Sequence, residues 1–135
     1  MSLERSTQYG NIKLNDTIFA RAVLSAVVRT GGKVICASEK GKVLGGIDQK
    51  VSPGELASNI IVRETADGYY LKFFVIMTFG ASIKENCTAV LDNLEKQMKT
   101  LVPDKGGKIV IKIVGVKSKK IAERDIEIVR EYELG

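Results

Sequence analysis

Few side chains in this sequence could do chemistry, and histidine, the commonest general base and metal ligand, is absent from all 135 residues. Three candidates remain. Cys36, with Lys33 and Lys40 nearby in sequence, offers a thiol nucleophile. Gly41-Lys42-Val43-Leu44-Gly45-Gly46 offers glycines and a lysine for a phosphate loop, and Glu123 with Asp125 offers paired carboxylates. Each falls short of its mechanism. Without histidine, only a lysine or a carboxylate could activate the thiol. A phosphate loop needs lysine and a hydroxyl residue directly after its last glycine, where Ile47 stands. Thr30-Gly31-Gly32-Lys33 follows a helical pattern instead of leading into one, so no helix N-terminus is aimed at a phosphate. Glu123 and Asp125 sit among basic residues and read as surface charge. Two cysteines, Cys36 and Cys87, make neither a disulfide framework nor a zinc cluster. The expectation is a non-enzymatic protein with no catalytic, cofactor or metal site.

Binding is better represented than catalysis. The formal net charge is +5, enough to favour acidic partners. Lys105, Lys108, Lys112, Lys117, Lys119, Lys120 and Arg124 cluster along one stretch. Lys108, Lys112, Lys117, Lys119, Lys120 and Arg124 are the candidate interaction surface, suited to RNA, an anionic membrane face or an acidic protein tail. Glu123, Asp125 and Glu127 interleave with them, so a solvated, solubilising face is the plainer reading. The two-glycine clamp that grips a nucleotide backbone occurs nowhere, and Tyr70 with Phe74 beside Ile76 makes no clean stacking platform.

The elements that carry these residues are legible from spacing. Residues 1–9 read as a frayed arm. A short strand follows over 10–14, and Asn15 or Asp16 caps a helix whose stripe is Ile18, Phe19, Ala22, Val23, Ala26 and Val27. That helix stops at Thr30-Gly31-Gly32. In the excursion from 33 to 59, Val34–Ala37 reads as a short strand, and Ser52-Pro53-Gly54-Glu55 outlines a capped helical turn over 53–58. Asp67-Gly68 predicts a tight turn pairing a strand over 60–65 with one over 69–79. In that second strand Leu71, Phe73, Val75, Met77 and Phe79 share one face, and Tyr70, Phe74 and Ile76 share the other with Lys72. A strand apolar on both faces belongs in the middle of a sheet. Gly80 ends it, and Ser82 with Glu85 has capping-box spacing ahead of the stripe Ile83, Cys87, Val90, Leu91, Leu94, Met98 and Leu101. Residues 108–116 are a further interior strand, and Ile126 with Ile128 marks a last one.

The predicted fold is α+β and two-layered, in β-α-β-β-α-β order with an extra C-terminal strand and both helices on one face of a mostly antiparallel sheet. Tyr70, Phe74 and Ile76 then lie on the uncovered face. A bare apolar face is unusual in a monomer, so the 33–59 excursion, the C-terminal tail or a second copy is expected to cover it; with a second copy, those three form a self-association face. No apolar run approaches the roughly 18 residues a membrane span needs, and the polar N-terminus has no signal core. The expected location is the cytoplasm.

Several stretches together resemble the alkaline shock protein family, the YloU-like domain. They are Gly10-Asn11-Ile12-Lys13-Leu14-Asn15-Asp16, the helix from Ile18-Phe19-Ala20, the strand ending Phe79-Gly80, the Ile83 helix, and Val110-Ile111-Lys112-Ile113-Val114-Gly115-Val116. Gly10, Ile12, Ala20, Gly80, Ile83, Val110, Gly115 and Val116 match the family pattern. The resemblance divides the chain into an arm (1–9), an alkaline-shock-like domain (10–117) and a C-terminal extension (118–135). It implies a structural protein of cell-envelope homeostasis and stress without enzymatic activity. Proteins of this kind are small, cytoplasmic and often associated with the membrane through partners, so a membrane-anchored protein partner is expected; the two-sided apolar strand adds the expectation of a homo-oligomer acting through protein–protein contacts. An RNA- or ribosome-associated module using residues 105–124 is the alternative. The 33–59 region and the extension both depart from the family pattern.

Overall fold

One strand organises the chain. In the computed structural model, which describes residues 3–7, 10–14, 16–46, 50–66 and 68–133, β6 (Gly68–Thr78) has neighbours on both sides along most of its length. On one edge it pairs antiparallel with β5 (Ile61–Thr65) through Gly68–Lys72, then with β3 (Val34–Ala37) through Phe74–Met77. On the other edge it pairs parallel with β7 (Gly107–Lys117). Parallel neighbours need a long connection, supplied here by α3 (Ile83–Leu101). β8 (Ile121–Tyr132) returns antiparallel to β7, and β4 (Val43–Gly45) lies outside β3, giving the order β4-β3-β6-β7-β8 with β5 also on β6. This is the mostly antiparallel α+β sheet with helices that the patterning predicts.

The helices begin where local chemistry says they should. The Ser82 hydroxyl accepts from the Glu85 amide at 3.1 Å, and Ser52 does the same for Glu55 at 3.1 Å ahead of the short α2 (Pro53–Ala57). Each bond satisfies one amide that the first helical turn leaves without a partner. α1 (Asp16–Val28) ends as expected, with Gly31 and Gly32 at positive φ. Asn15, the other capping candidate, and Asp67 of the predicted turn lie outside the described residues.

The two faces of β6 have different fates. Leu71, Phe73, Val75 and Met77 join Ile109, Ile111 and Ile113 under the helices, against Phe19, Val23, Val90, Leu94 and Met98. At roughly 1.5–3 kcal/mol for each large side chain taken from water, this layer supplies most of the driving force. On the opposite face Ala37, Phe74, Ile76 and Val114 form a second, smaller cluster, flanked by Ile35, Val43 and Ile61. The turn between β3 and β4 arches over it. Glu39, Lys40 and Gly41 of that turn line a cavity of about 450 Å³ whose other wall is Lys112, Val114 and Asp125. Among the covers expected from sequence, the 33–59 excursion contributes this turn, and Ile121, Glu123, Arg124 and Asp125 beyond β7 line the same cavity.

Four expectations need correction. Residues 3–7 are not a frayed arm: β1 (Leu3–Thr7) pairs antiparallel with β2 (Gly10–Leu14) in a separate ladder. Phe79 does not belong to the buried face of β6; the strand stops at Thr78, Gly80 turns the chain at φ +84, and Phe79 is 73% exposed. The last strand is much longer than its two isoleucines imply, because Ile121–Tyr132 pairs with all of β7. Finally, Phe74 and Ile76 are 4% and 0% exposed, so neither offers surface to a second copy. The hairpin that covers them leaves only Tyr70 of that trio half-buried.

Candidate interaction surfaces

The open face of the sheet is a ladder of lysines and carboxylates laid over apolar residues. Across β6, β7 and β8 the register aligns Tyr70 with Lys108 and Glu131, Lys72 with Val110 and Val129, and Phe74 with Lys112 and Glu127. Lys72 Nζ reaches Glu127 at 3.0 Å, passing 5.9 Å from the Phe74 ring centroid. Lys112 meets Asp125 at 3.1 Å, and Lys108 stands 4.0 Å from Glu131. These stems cover Phe74 and Val110 while their charged ends stay wet. The Glu127 hydrogen bond holds the Lys72 ammonium above its ordinary range. At the end where β6 begins, Lys105 Nζ bonds Glu64 at 2.6 Å and lies 5.3 Å from the Tyr69 ring centroid.

The candidate basic surface therefore divides in two. Lys108 and Lys112 are spent on cross-strand carboxylates, and Arg124 donates to the neighbouring Glu123 carbonyl at 2.7 Å. Lys117, Lys119 and Lys120 are exposed and have no ion-pair partner among the described residues.

Those three lysines sit at the opposite end of the sheet, where topology gathers residues far apart in sequence. The Thr78 amide donates to the Lys33 carbonyl at 3.0 Å, and the Phe79 amide donates to the Lys117 carbonyl at 2.8 Å. Ile121 stands across from Lys117 on β8. α1 ends and α3 begins at this same end, bringing Arg29 and Lys84. Arg29, Lys33 and Lys84 are also exposed and unpaired among the described residues. At this end Phe79 is 73% exposed, and Ile121, which also lines the cavity beneath the β3–β4 turn, is 42% exposed. Periodicity assigns Phe79 to the core and cannot bring Lys33, Lys84 and Lys117 together. The one local signal was Gly80, which can turn the chain before Phe79 enters the core.

Of the candidates for chemistry, Cys36 and Cys87 are both buried and free. Gly41, at φ +89, closes the β3–β4 turn, where Ser38 Oγ accepts from the Lys42 amide at 3.0 Å; no helix follows it. Thr30 Oγ1 donates to the Val27 carbonyl at 2.7 Å and accepts from the Val34 amide at 3.1 Å, so Thr30-Gly31-Gly32 closes α1. No group of three metal-capable side chains gathers among the described residues.

Burial pushes the Cys36 thiol from its ordinary 9.0 up to about 12. Burial first, then the Glu95 charge, pushes the Tyr132 phenol from 10.0 up to about 12. Both groups stay protonated in the fold while the unfolded chain ionises, so above pH 9.0 the unfolded state binds fewer protons. Their contribution to stability is complete below the unfolded values and is lost as pH climbs through the folded ones. Urea denaturation followed from about pH 8 to about pH 11 should give a falling midpoint; a flat profile would contradict the burial of these two groups.

Fold and surfaces together define a small α+β domain, helices on one side of a mostly antiparallel six-stranded sheet, with ion pairs on the other side and free cations at one end. In sequence the chain is similar to the Bacillus subtilis (strain 168) protein YloU, itself described as uncharacterized. The two are 26% identical over 102 residues, covering 76% of this chain and 81% of YloU. No protein-family model and no solved structure matches the chain. Among the described residues no helix is long and apolar enough to cross a membrane.

Proposed function

We propose that this chain is a non-enzymatic docking and scaffold protein of the alkaline shock type, serving cell-envelope homeostasis and stress resistance from the cytoplasm. The similarity to YloU and the matched pattern from Gly10 to Val116 support the family reading. The observation that carries the docking reading is the segregation of charge. Lysines on the sheet face are neutralised by neighbours within 4.0 Å, whereas those around Phe79 are left for something else to meet. An exposed aromatic ringed by unpaired lysines is a contact surface, and its groups do not converge on a reaction centre.

Homo-oligomerisation belongs to the same proposal, but through a surface other than Phe74 and Ile76. Sedimentation velocity across the micromolar range should show association, and a strict monomer throughout would remove that part. An RNA module spread over residues 105–124 is less well supported, since Lys105, Lys108 and Lys112 already hold carboxylates. For docking itself, immobilised protein should capture partners from lysate, with membrane and soluble fractions kept apart. The triple reversal Lys117→Glu, Lys119→Glu and Lys120→Glu should release them, and capture indifferent to the reversal would overturn the assignment to this end.

A further inference from the structure

We infer that the Phe79 end is a docking surface for an anionic lipid bilayer, with Phe79 as the inserted side chain. The inference rests on the docking reading above and names its partner. Three turns meet there: Thr30–Lys33 after α1, Phe79–Ser82 before α3, and Lys117–Lys120 between β7 and β8. The hydrogen bonds from Thr78 to Gly32 and Lys33, and from Phe79 to Lys117, tie all three into one end of the molecule.

The chemistry of this end matches a lipid surface on three counts. Its most exposed apolar group, Phe79 at 73%, stands on a turn at a tip, whereas Ile121, 42% exposed, lines the cavity beneath the β3–β4 turn. A side chain on a tip can enter the headgroup–acyl boundary, while one stacking on a base would need a platform with hydrogen-bonding neighbours. The surrounding cations are five lysines, Lys33, Lys84, Lys117, Lys119 and Lys120, and one arginine, Arg29, and they outnumber the exposed carboxylates of Glu85 and Glu123 at the same end. Lysines are strongly hydrated point charges, suited to a diffuse sheet of phosphates; planar, bidentate reading of bases favours arginine. Lys84 also sits in the first turn of α3, where the helix dipole disfavours a cation, so its charge is poorly explained by helix stability.

The charge layout would orient the molecule. At the opposite end Glu64 and Glu131 already face Lys105 and Lys108, so the unpaired cations of the Phe79 end decide which end an anionic surface draws in. Each lysine brought near such a surface strengthens binding about fivefold, and salt weakens it because the charges are exposed.

The chain contains no tryptophan, so Phe79→Trp places a single tryptophan, excitable apart from the tyrosines at the red edge, at the tip, and Val129→Trp places one at an exposed point on β8 as a control. Vesicles of phosphatidylglycerol and phosphatidylcholine should shift the emission of the first to the blue and leave the second unchanged. Pure phosphatidylcholine should shift neither. In vesicle co-sedimentation, Phe79→Ala should weaken partitioning about tenfold, and the triple reversal Lys117→Glu, Lys119→Glu, Lys120→Glu about a hundredfold or more. Both sets of substitutions are on exposed residues, and an unchanged unfolding midpoint verifies that the fold is intact. Failure to bind anionic vesicles at low salt would overturn the proposal. So would binding that leaves the tryptophan at position 79 in water, or mixed RNA bound while vesicles are not. If vesicles fail but lysate capture through this end persists, the lipid assignment falls and the docking reading stands.

Discussion

Phe73→Ala is expected to lower the free energy of unfolding by about 3–5 kcal/mol, the range for emptying a large aromatic site in a packed core. Phe73 is 1% exposed and lies where the edge of β6 passes from β5, which ends its pairing at Lys72, to β3, which begins at Phe74. Among the described residues no cross-strand partner supports that edge at Phe73, so its ring, beside Ile111 of β7 and under the helices, holds the two half-edges in one layer. A domain of this size has about 5–15 kcal/mol in total, so the loss is a large fraction of the whole. Urea denaturation should show the midpoint falling at nearly constant slope. Phe79→Ala is the internal control. Sequence alternation puts both phenylalanines on one face, yet the exposed one should change stability by no more than about 0.5 kcal/mol. Similar losses for the two would contradict the strand end at Thr78.

The second large effect is expected at Gly107. This residue lies between Tyr69 and Tyr132 in the register, with both rings on the helix side. A Cβ there would stand 2.6 Å from the Tyr69 carbonyl oxygen, 2.8 Å from Tyr132 Oη and 3.0 Å from Tyr132 Cζ. The ring could move, but the backbone oxygen could not without breaking the β6–β7 ladder. Gly107→Ala should therefore cost an amount near the top of the roughly 1–3 kcal/mol typical of overpacking. Tyr132→Phe provides the contrast. The buried Tyr132 hydroxyl has no hydrogen-bond partner among the described residues, so removing it should be close to neutral. A tolerated Gly107→Ala, with an unchanged denaturation midpoint, would mean the tyrosines do not close over that glycine.

What could be read in advance follows the range of the interactions involved. Ser52 with Glu55 and Ser82 with Glu85 act over three residues, and both caps are present. The two-sided apolar run from Tyr69 to Met77 set β6 inside the sheet, because burial on both faces leaves a strand few other positions. Long-range facts were not legible. Nothing local to Lys108 or Lys112 says that Glu131 and Asp125 will come within reach of them, or that Lys117 will find no carboxylate among the described residues, since this depends on the register of β7 against β8. Phe74 and Ile76 were rightly placed away from the helices, but their cover is a turn at Glu39–Gly41 that arches across three strands. Phe79 was misplaced because alternation continues on paper through a residue where the backbone has already begun to turn.

The claim on which the functional account depends is that contacts are made through the end bearing Phe79. A photoreactive benzophenone side chain placed at position 79, at position 70 on the sheet face, and at position 129 on β8 would test it inside the cell. The account predicts adducts, to lipid or to protein, concentrated at position 79 and lost in the Lys117→Glu, Lys119→Glu, Lys120→Glu background. Adducts concentrated at position 70 or 129, with position 79 giving only solvent quenching, would contradict it.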